Sequence, residues 1–218
     1  MPSLLPLDLP TARALTERPD PSGPAATLPA AVDELAVFSP EECRRIVALR
    51  DTLGFDQARV ESREQTHEGP LRRDLSPEIR NTERTHVLHS REHAWIYDRL
   101  AALVERINAA TWDFRIHYME PLQLLSYPLG GHYAWHTDLG ARGLLALRKI
   151  SVTVQLSPGE DYQGGDLEIL HGGRVHIPPR PVGSAVLFPS WQPHRVTPVT
   201  GGVRRALVLW VVGKKSLR

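Results

Sequence analysis

The sequence predicts an α+β fold that is mainly β, in which two helices precede about eight short strands. Three observations support this prediction. Beyond residue 114, short apolar runs follow one another with glycine or proline between them. Upstream, two segments carry helix signals. The chain also contains 16 glycines and 19 prolines, a turn-rich composition typical of sandwiches, jelly rolls and barrels. Helices that precede an antiparallel sheet in sequence are expected to pack on one face of it.

Each predicted helix has a recognisable start. Ser39, with Pro40 in the first turn and Glu42 three residues after the serine, forms the pattern of a capping box. The first helix is therefore expected to begin there. In the second helix, apolar residues recur at helical spacing between positions 96 and 107, and Ser90 is the predicted cap.

The positions of glycine and proline also predict the strands and the limits of the domain. The strands are predicted at Arg115–Met119, Leu122–Tyr127, His132–Asp138, Lys149–Leu156, Asp166–Leu170, Arg174–Ile177, Ala185–Phe188 and Val203–Val212. Residues 1–30 hold seven prolines and no apolar periodicity, which favours a flexible tail. Residues 31–218 are predicted to form one domain with a β core at about 114–212.

Composition excludes several classes of protein. The formal net charge of the 218 residues is +1, so neither a nucleic-acid partner nor an anionic membrane is expected. No apolar run approaches the ~20 residues of a membrane span. The single cysteine, Cys43, rules out an internal disulfide and a cysteine-rich metal site. With no secretory signal in the first 30 residues, a cytoplasmic location is expected, while the oligomeric state is left open.

A metal-ligand pattern begins in the third predicted strand. On a strand, residues two apart point to the same face, so the side chains of His136 and Asp138 would project together. His194, near another strand, is placed to supply a third ligand. Two histidines and one carboxylate leave coordination positions open, the arrangement that binds Fe(II) for oxygen chemistry. The His-x-Asp tripeptide is frequent by chance, so its surroundings decide its meaning.

A buried cation accompanies these candidate ligands. Arg204 begins the last apolar strand and shares a face with Ala206, Val208 and Trp210. An unpaired buried cation is very costly, and an anionic ligand beside the metal would satisfy it. Arginine binds carboxylates with two parallel hydrogen bonds. Arg205 would point to the opposite face and is the weaker candidate.

Taken together, residues 122–212 resemble the iron- and 2-oxoglutarate-dependent dioxygenases of the prolyl 4-hydroxylase type, including the bacterial PKHD-like hydroxylases. Identity and spacing both contribute to the resemblance. The matching positions are Tyr127, Gly130, Tyr133, His136, Asp138, Gly164, Gly165, Gly183, Phe188, His194 and Arg204.

The resemblance implies a distorted double-stranded β-helix, or jelly roll, with the metal at its mouth. In such a protein, His136, Asp138 and His194 would ligate Fe(II). The implied reaction uses O2 and 2-oxoglutarate to hydroxylate an unactivated C–H bond and releases succinate and CO2. Ascorbate is expected as an optional reductant.

The resemblance also implies how the cosubstrate is held. The C5 carboxylate of 2-oxoglutarate would bind Arg204, and Tyr127 would form a hydrogen bond with the cosubstrate. Gln155 lies on an inner strand where relatives sometimes place a further contact.

Two questions stay open in the sequence. A cupin-like metal-binding jelly roll without oxidative activity is the alternative, although such a protein needs neither Arg204 nor Tyr127. The substrate is expected to be a small molecule, an amino acid or a peptide, with a prolyl residue suggested by analogy only. The segment 61–84 and the loop 139–147 are candidate lids. Six arginines near them are candidates for contact with an acidic substrate, or simply parts of solvated loops: Arg63, Arg72, Arg73, Arg80, Arg84 and Arg142.

Overall fold

The computed structural model of the protein describes residues 5–6, 29–58, 60–61, 73–74 and 76–214. Within these ranges the chain forms two α-helices, eighteen strands and two short 3-10 turns. Helix α1 spans Pro40–Leu53 and helix α2 spans Ala94–Thr111. The 3-10 turns lie at Gly143–Leu147 and Gly159–Asp161.

The strands divide into those before and those after helix α2. Before or between the helices lie β1 (Leu5–Pro6), β2 (Val32–Glu34), β3 (Asp56–Gln57), β4 (Val60–Glu61), β5 (Arg73–Asp74), β6 (Arg80–Asn81) and β7 (Glu83–Val87). After α2 come β8 (Ile116–Met119), β9 (Leu122–Tyr127), β10 (His132–His136), β11 (Arg148–Gln155), β12 (Tyr162–Gly164), β13 (Leu167–His171), β14 (Arg174–His176), β15 (Ala185–Pro189), β16 (His194–Val196), β17 (Val199–Gly202) and β18 (Arg204–Gly213).

Two antiparallel sheets form the barrel-like body. The larger sheet has nine strands in the order β2-β15-β11-β18-β9-β7-β3, with β8 on β18 and β1 on β8. The smaller sheet has five strands in the order β14-β13-β16-β10-β6. Two further pairs, β12-β17 and β4-β5, complete the described strands. Sequence neighbours such as β9 and β10 lie in different sheets, as a jelly roll requires.

The core has two parts, one on each face of the larger sheet. On the outer face, α1 and α2 pack their apolar residues against β9, β11 and β18, with Trp112 and Phe38 among the largest fully buried side chains. Between the two sheets lies a smaller cluster that includes Tyr127, Ile169 and Phe188. The helices therefore cover one face, and the other face is free to form an interior between the sheets.

The helix predictions are confirmed at α1 and corrected at α2. At α1, the Ser39 hydroxyl accepts the Glu42 N–H at 3.2 Å, and the Glu42 carboxylate accepts the Ser39 N–H at 2.8 Å. Helix α2 begins at Ala94, four residues beyond the predicted cap, Ser90. The Ser90 hydroxyl instead accepts the N–H of His93, in the turn that leads into the helix.

The predicted fold class is confirmed: the protein is mainly β, with its helices on one face of a jelly roll. All eight predicted strands are present, with shifts of one or two residues at most of their ends. One shift matters for the site, because β10 ends at His136 and leaves Asp138 beyond the strand. Very short strands, such as β6 and β16, escaped prediction because two or three residues carry no periodic signal.

The expectation for residues 1–30 falls largely outside the described residues. Of this segment, the Leu5–Pro6 backbone pairs with β8, and the Pro29 carbonyl accepts the indole N–H of Trp112 at 3.0 Å. The limits proposed for the tail and for the domain stay predictions. Among the described helices, none is both long enough and apolar enough to cross a membrane.

Candidate active site

Three side chains converge between the two sheets at one end of the jelly roll. His136 ends β10 and His194 begins β16, and the two residues face each other in the antiparallel ladder. Asp138 follows two residues later, where its own N–H bonds to the carbonyl of Ser190 at 2.9 Å. One donor atom from each of the three residues lies within 4.8 Å of the others. In the described part of the chain this is the one such group of three.

The histidine tautomers leave the correct nitrogens available for a metal. Nδ1 of His136 lies 2.8 Å from the Ala134 carbonyl, and Nδ1 of His194 lies 3.0 Å from the Gln192 carbonyl. A carbonyl oxygen only accepts, so both Nδ1 atoms carry the proton and donate it. Nε2 of each ring is thereby the ligand atom, and the backbone bond fixes the orientation of the ring.

The spacing of these atoms fits a single metal ion. Nε2 of His194 lies 3.3 Å from Asp138 Oδ2, and Nε2 of His136 lies 3.8 Å from Asp138 Oδ1. Two ligands at about 2.1 Å from one metal and at right angles to each other are separated by about 3 Å. Two imidazoles and a carboxylate are also the donor set expected for non-haem Fe(II).

The protonation states suit metal binding as well. Burial, and then the neighbouring His194, lowers the pKa of His136 to about 3, so this imidazole is neutral at physiological pH. Burial alone would raise the pKa of Asp138, but its interactions with His194 and then His136 outweigh burial and lower that pKa. A neutral imidazole and an ionised carboxylate are the forms that coordinate metals.

Asp138 is held by a neighbouring strand. The Ser151 hydroxyl, on β11, donates to Asp138 Oδ2 at 2.7 Å and lies 3.0 Å from the Ser190 hydroxyl. Arg148, also on β11, donates to the Asp138 carbonyl at 3.3 Å and forms a bidentate ion pair with Glu120. Strand β11 thus positions a loop carboxylate that no ladder hydrogen bond holds in place.

Arg204 lines the same pocket as the three candidate ligands. It is only 3% exposed, and among the described residues no carboxylate lies within ion-pair distance of it. Its guanidinium carbon lies 5.3 Å from the centre of the Tyr127 ring, because the two residues are directly opposite on β18 and β9. Arg205 points away and is half-buried, as the alternation of a strand predicts.

The Gly164-Gly165 pair makes room for the arginine. Both glycines have positive φ, +65° and +62°, which residues with a side chain rarely adopt. A Cβ at Gly165 would lie 2.9 Å from Val199 Cγ2 and 3.2 Å from Arg204 Cδ. A Cβ at Gly164 would overlap the carbonyl of Pro198. This turn therefore determines how closely the chain approaches the Arg204 side chain.

Gln155 lies near Arg204 but its amide N–H groups are already engaged. Its Nε2 donates to the Ser157 carbonyl at 2.7 Å and to the Tyr162 hydroxyl at 3.1 Å. Gln155, Tyr162 and Arg204 line a second pocket that adjoins the first at Arg204 and Thr153. The amide oxygen of Gln155 remains the atom with which it would contact a cosubstrate, and that role stays a proposal.

Several pocket residues were missed by the sequence reasoning. Ser151 and Thr153 lie on the same face of β11 as Gln155, because residues two apart on a strand share a face. Strand periodicity was therefore the signal that would have found them. Trp210, which strand alternation already placed on the face of Arg204, is 8% exposed and lines the pocket from β18. Tyr133, assigned only as a matching position, stacks on His136 with 3.4 Å between ring centres. Burial raises the pKa of this tyrosine.

The two candidate lids are only partly described. Most of the segment 61–84 lies outside the described residues, and so do Arg63 and Arg72. Arg84 is engaged in a bidentate ion pair with Asp56. In the loop 139–147, the Gly140 N–H bonds to the Leu145 carbonyl. Of the six arginines, Arg80 alone is among the residues that line the described pocket.

The fold and the site together define a jelly-roll protein with a two-histidine, one-carboxylate centre and a buried arginine in the same pocket. Comparison with known proteins is consistent with this class. Residues 122–212 match the model of the 2OG-Fe(II) oxygenase superfamily. The matched segment contains all three candidate ligands and Arg204.

Curated relatives align with the same part of the chain. A PKHD-type hydroxylase of Janthinobacterium sp. (strain Marseille) is 37% identical over 101 residues, which is 44% of each chain. Another, from Hyphomonas neptunium, is 42% identical over 85 residues, or 38% of each chain. The chain thus spans less than half the length of these two relatives.

Solved structures share the fold over most of the chain. A Pseudomonas putida prolyl-4-hydroxylase superposes with a TM-score of 0.65 at 21% identity, covering 85% of this chain and 93% of that one. A Trichoplax adhaerens prolyl hydroxylase, solved in complex with a hypoxia inducible factor peptide fragment, superposes with a TM-score of 0.68 at 18% identity. The match covers 85% of this chain and 84% of that one. These identities establish the fold.

Residues 122–212 are therefore similar to the 2OG-Fe(II) oxygenase superfamily, and the curated relatives that align with this part of the chain are PKHD-type hydroxylases. The family resemblance in the sequence is confirmed. The expected cofactor set of Fe(II), 2-oxoglutarate and O2 agrees with the family model that matches residues 122–212 and with the donor atoms present. Ascorbate stays a prediction.

Proposed function

We propose that this protein is an Fe(II)- and 2-oxoglutarate-dependent dioxygenase that hydroxylates an unactivated C–H bond with release of succinate and CO2. The observation that carries the proposal is the pairing of two features in one pocket: the cluster of His136, Asp138 and His194, and the buried Arg204 without an ion-pair partner in the described part of the chain. When bound, Fe(II) would supply the activation of O2 that the protein side chains lack.

Each side chain has a distinct task in this proposal. Nε2 of the two histidines and the carboxylate of Asp138 would hold Fe(II), with the proton of each imidazole kept on Nδ1 by a backbone carbonyl. Arg204 would bind the C5 carboxylate of 2-oxoglutarate, which removes the cost of a buried unpaired cation. The Tyr127 hydroxyl would donate a hydrogen bond to the cosubstrate.

A cupin-like metal protein without oxidative activity is not favoured. Such a protein has no use for a buried cation beside its metal, and the family match covers both the ligands and the arginine. The substrate in this proposal is a small molecule, an amino acid or a peptide. Because fold neighbours are named prolyl hydroxylases, prolyl compounds are the first to test. A cytoplasmic location is part of the proposal and stays a prediction.

An anaerobic titration tests the reaction class directly. The metal-free protein receives Fe(II) and then 2-oxoglutarate, while the visible charge-transfer band of the chelate is recorded. A band that saturates at one equivalent of each, and release of succinate once O2 is admitted, would support the proposal. Binding of iron with no band would refute the assigned use of 2-oxoglutarate and favour the cupin-like alternative.

A further inference from the structure

A second buried arginine faces the pocket from the smaller sheet. Arg80 lies on β6 and is only 8% exposed. Its partner in the ladder is Tyr133, and its guanidinium carbon lies 4.5 Å from the centre of that ring. Tyr133 in turn stacks on the metal-site residue His136. The guanidinium is therefore one aromatic ring away from the candidate metal ligand.

Arg80 lacks the ion-pair partner that the equally buried Arg148 has. Its Nε is buried without a hydrogen-bond partner, and among the described residues no carboxylate forms an ion pair with it. Arg148, by contrast, has a bidentate partner in Glu120. The cation–π contact with Tyr133 offsets only part of the cost of burying a charge. An anionic ligand would supply the hydrogen bond that Nε of Arg80 lacks.

The charges in the pocket point to the same conclusion. Apart from the two histidines, which bind a metal as neutral ligands, the described lining residues with a formal charge are Arg80, Arg204 and Asp138. Fe(II) contributes two positive charges and 2-oxoglutarate two negative charges, which cancel. One positive charge then remains in the loaded pocket, and a substrate with one negative charge neutralises it.

We propose that Arg80 binds a carboxylate group of the substrate, so that the hydroxylated compound is an acid with an apolar body. The proposal rests on the proposed function. The apolar part would contact Leu125, Val208 and Trp210, which line the same pocket. A free amino acid, the C-terminus of a peptide and an acidic side chain all present this chemistry, and guanidinium matches the carboxylate with two parallel hydrogen bonds.

Calorimetry with matched acids and amides tests the proposal. The full-length protein, loaded anaerobically with Fe(II) and saturating 2-oxoglutarate, is titrated with three pairs of compounds. L-proline and L-prolinamide represent a free amino acid, and N-acetylglycyl-L-proline and its amide represent a peptide C-terminus. N-acetyl-L-aspartyl-L-prolinamide and the asparaginyl analogue represent an acidic side chain. We expect at least one acid to bind tenfold or more tightly than its amide.

Variants assign that preference to the arginine. Arg80→Gln is expected to abolish the preference for the acid. Arg80→Lys is expected to retain part of it, because lysine keeps the positive charge but cannot form two parallel hydrogen bonds with a carboxylate. Arg84→Gln is the matched control, since Arg84 pairs with Asp56 and does not line the pocket. Circular dichroism and thermal unfolding confirm that each variant is folded.

The outcomes separate this proposal from the proposed function. The role of Arg80 is overturned if the wild-type protein binds no acid more tightly than its amide. It is also overturned if the preference for the acid survives in Arg80→Gln. An equal loss in Arg84→Gln also overturns it, because a general charge effect then explains the result. Absence of the chelate band in the wild-type protein refutes the proposed function itself. A band without an Arg80-dependent preference refutes the present inference alone.

Discussion

The Ser151 hydroxyl donates a hydrogen bond to Oδ2 of Asp138 at 2.7 Å and thereby ties a loop carboxylate to a central strand of the larger sheet. The same hydroxyl lies 3.0 Å from that of Ser190, whose carbonyl accepts the Asp138 N–H. Asp138 is thus oriented by its side chain and its backbone at once. Partners of this kind maintain the geometry of a metal ligand.

Replacing Ser151 is expected to weaken metal binding without unfolding the protein. Ser151→Ala removes the hydrogen bond that orients Asp138, and loss of such a partner typically lowers metal affinity by about tenfold to a hundredfold. Anaerobic competition for Fe(II) with a chromophoric chelator measures the change. Ser126→Ala is the control, because Ser126 is equally buried but alternates with the pocket residue Tyr127 along β9. Equal Fe(II) affinity in the two variants would contradict the orienting role.

Replacing Arg204 is expected to weaken the binding of 2-oxoglutarate far more than the binding of Fe(II). Arg204→Ala removes the buried cation proposed to bind the C5 carboxylate, and breaking such a pair costs about 2–5 kcal/mol, which is a loss of thirtyfold or more. Titrating 2-oxoglutarate against the charge-transfer band gives the affinity. Arg205→Ala should bind 2-oxoglutarate as the wild-type protein does, since Arg205 faces away. A comparable loss of Fe(II) and 2-oxoglutarate affinity in Arg204→Ala would refute the role.

Adding one methyl group at Gly165 is expected to displace the Arg204 side chain through a steric contact. In Gly165→Ala, the new Cβ meets Val199 and Arg204, and the backbone keeps a φ of +62°. We expect the free energy of unfolding to fall by roughly 1–3 kcal/mol and the affinity for 2-oxoglutarate to fall with it. Urea unfolding and the band titration measure the two effects.

A second glycine serves as a control that separates the effect of backbone strain from the effect of steric contact with Arg204. Gly172 also has positive φ, +54°, but a Cβ there meets no atom within 4 Å. Gly172→Ala therefore carries a similar backbone strain without touching the pocket. We expect it to lose stability and to keep its affinity for 2-oxoglutarate. The same loss of affinity in both variants would show that the contact with Arg204 is irrelevant.

The single thiol is expected to be unreactive in the folded protein. Cys43 is 1% exposed on α1, and burial, reinforced by the nearby Glu42, raises its pKa to about 11. At pH 8 the folded chain thus presents almost no thiolate, which is the reactive form. An aromatic disulfide reagent should label the native protein slowly and the urea-unfolded protein rapidly. Equal labelling rates would contradict the burial of α1 against the sheet.

Local patterns in the sequence predicted much of this molecule correctly. The capping box of Ser39 and Glu42 requires only residues three apart, and it is present. The long strands around β9, β11 and β18 were found because apolar runs bounded by glycine and proline are strong local signals. The candidate ligands and Arg204 were assigned through the resemblance to a known family, and the structure brings all four into one pocket.

Features that depend on distant neighbours were predicted less well. Helix α2 begins after Ser90 because that serine bonds within the preceding turn, a choice that propensity does not reveal. Asp138 lies beyond β10, since its backbone pairs with Ser190 rather than continuing the ladder. Arg80 sits on a strand of two residues, too short to show any period. Its place in the pocket follows from its pairing with Tyr133 alone.

The sequence by itself determined the class of fold, the chemical identity of the candidate ligands and the presence of a cation that needs a partner. The helices and strands follow from short local patterns, whereas the ligand set, whose members lie far apart in the chain, was implied by the resemblance of residues 122–212 to a known family. The tertiary structure decided which histidine nitrogen faces the metal, which strand orients Asp138 and which second arginine enters the pocket. Those contacts join residues far apart in the chain, and they form only when the two sheets close around a shared interior.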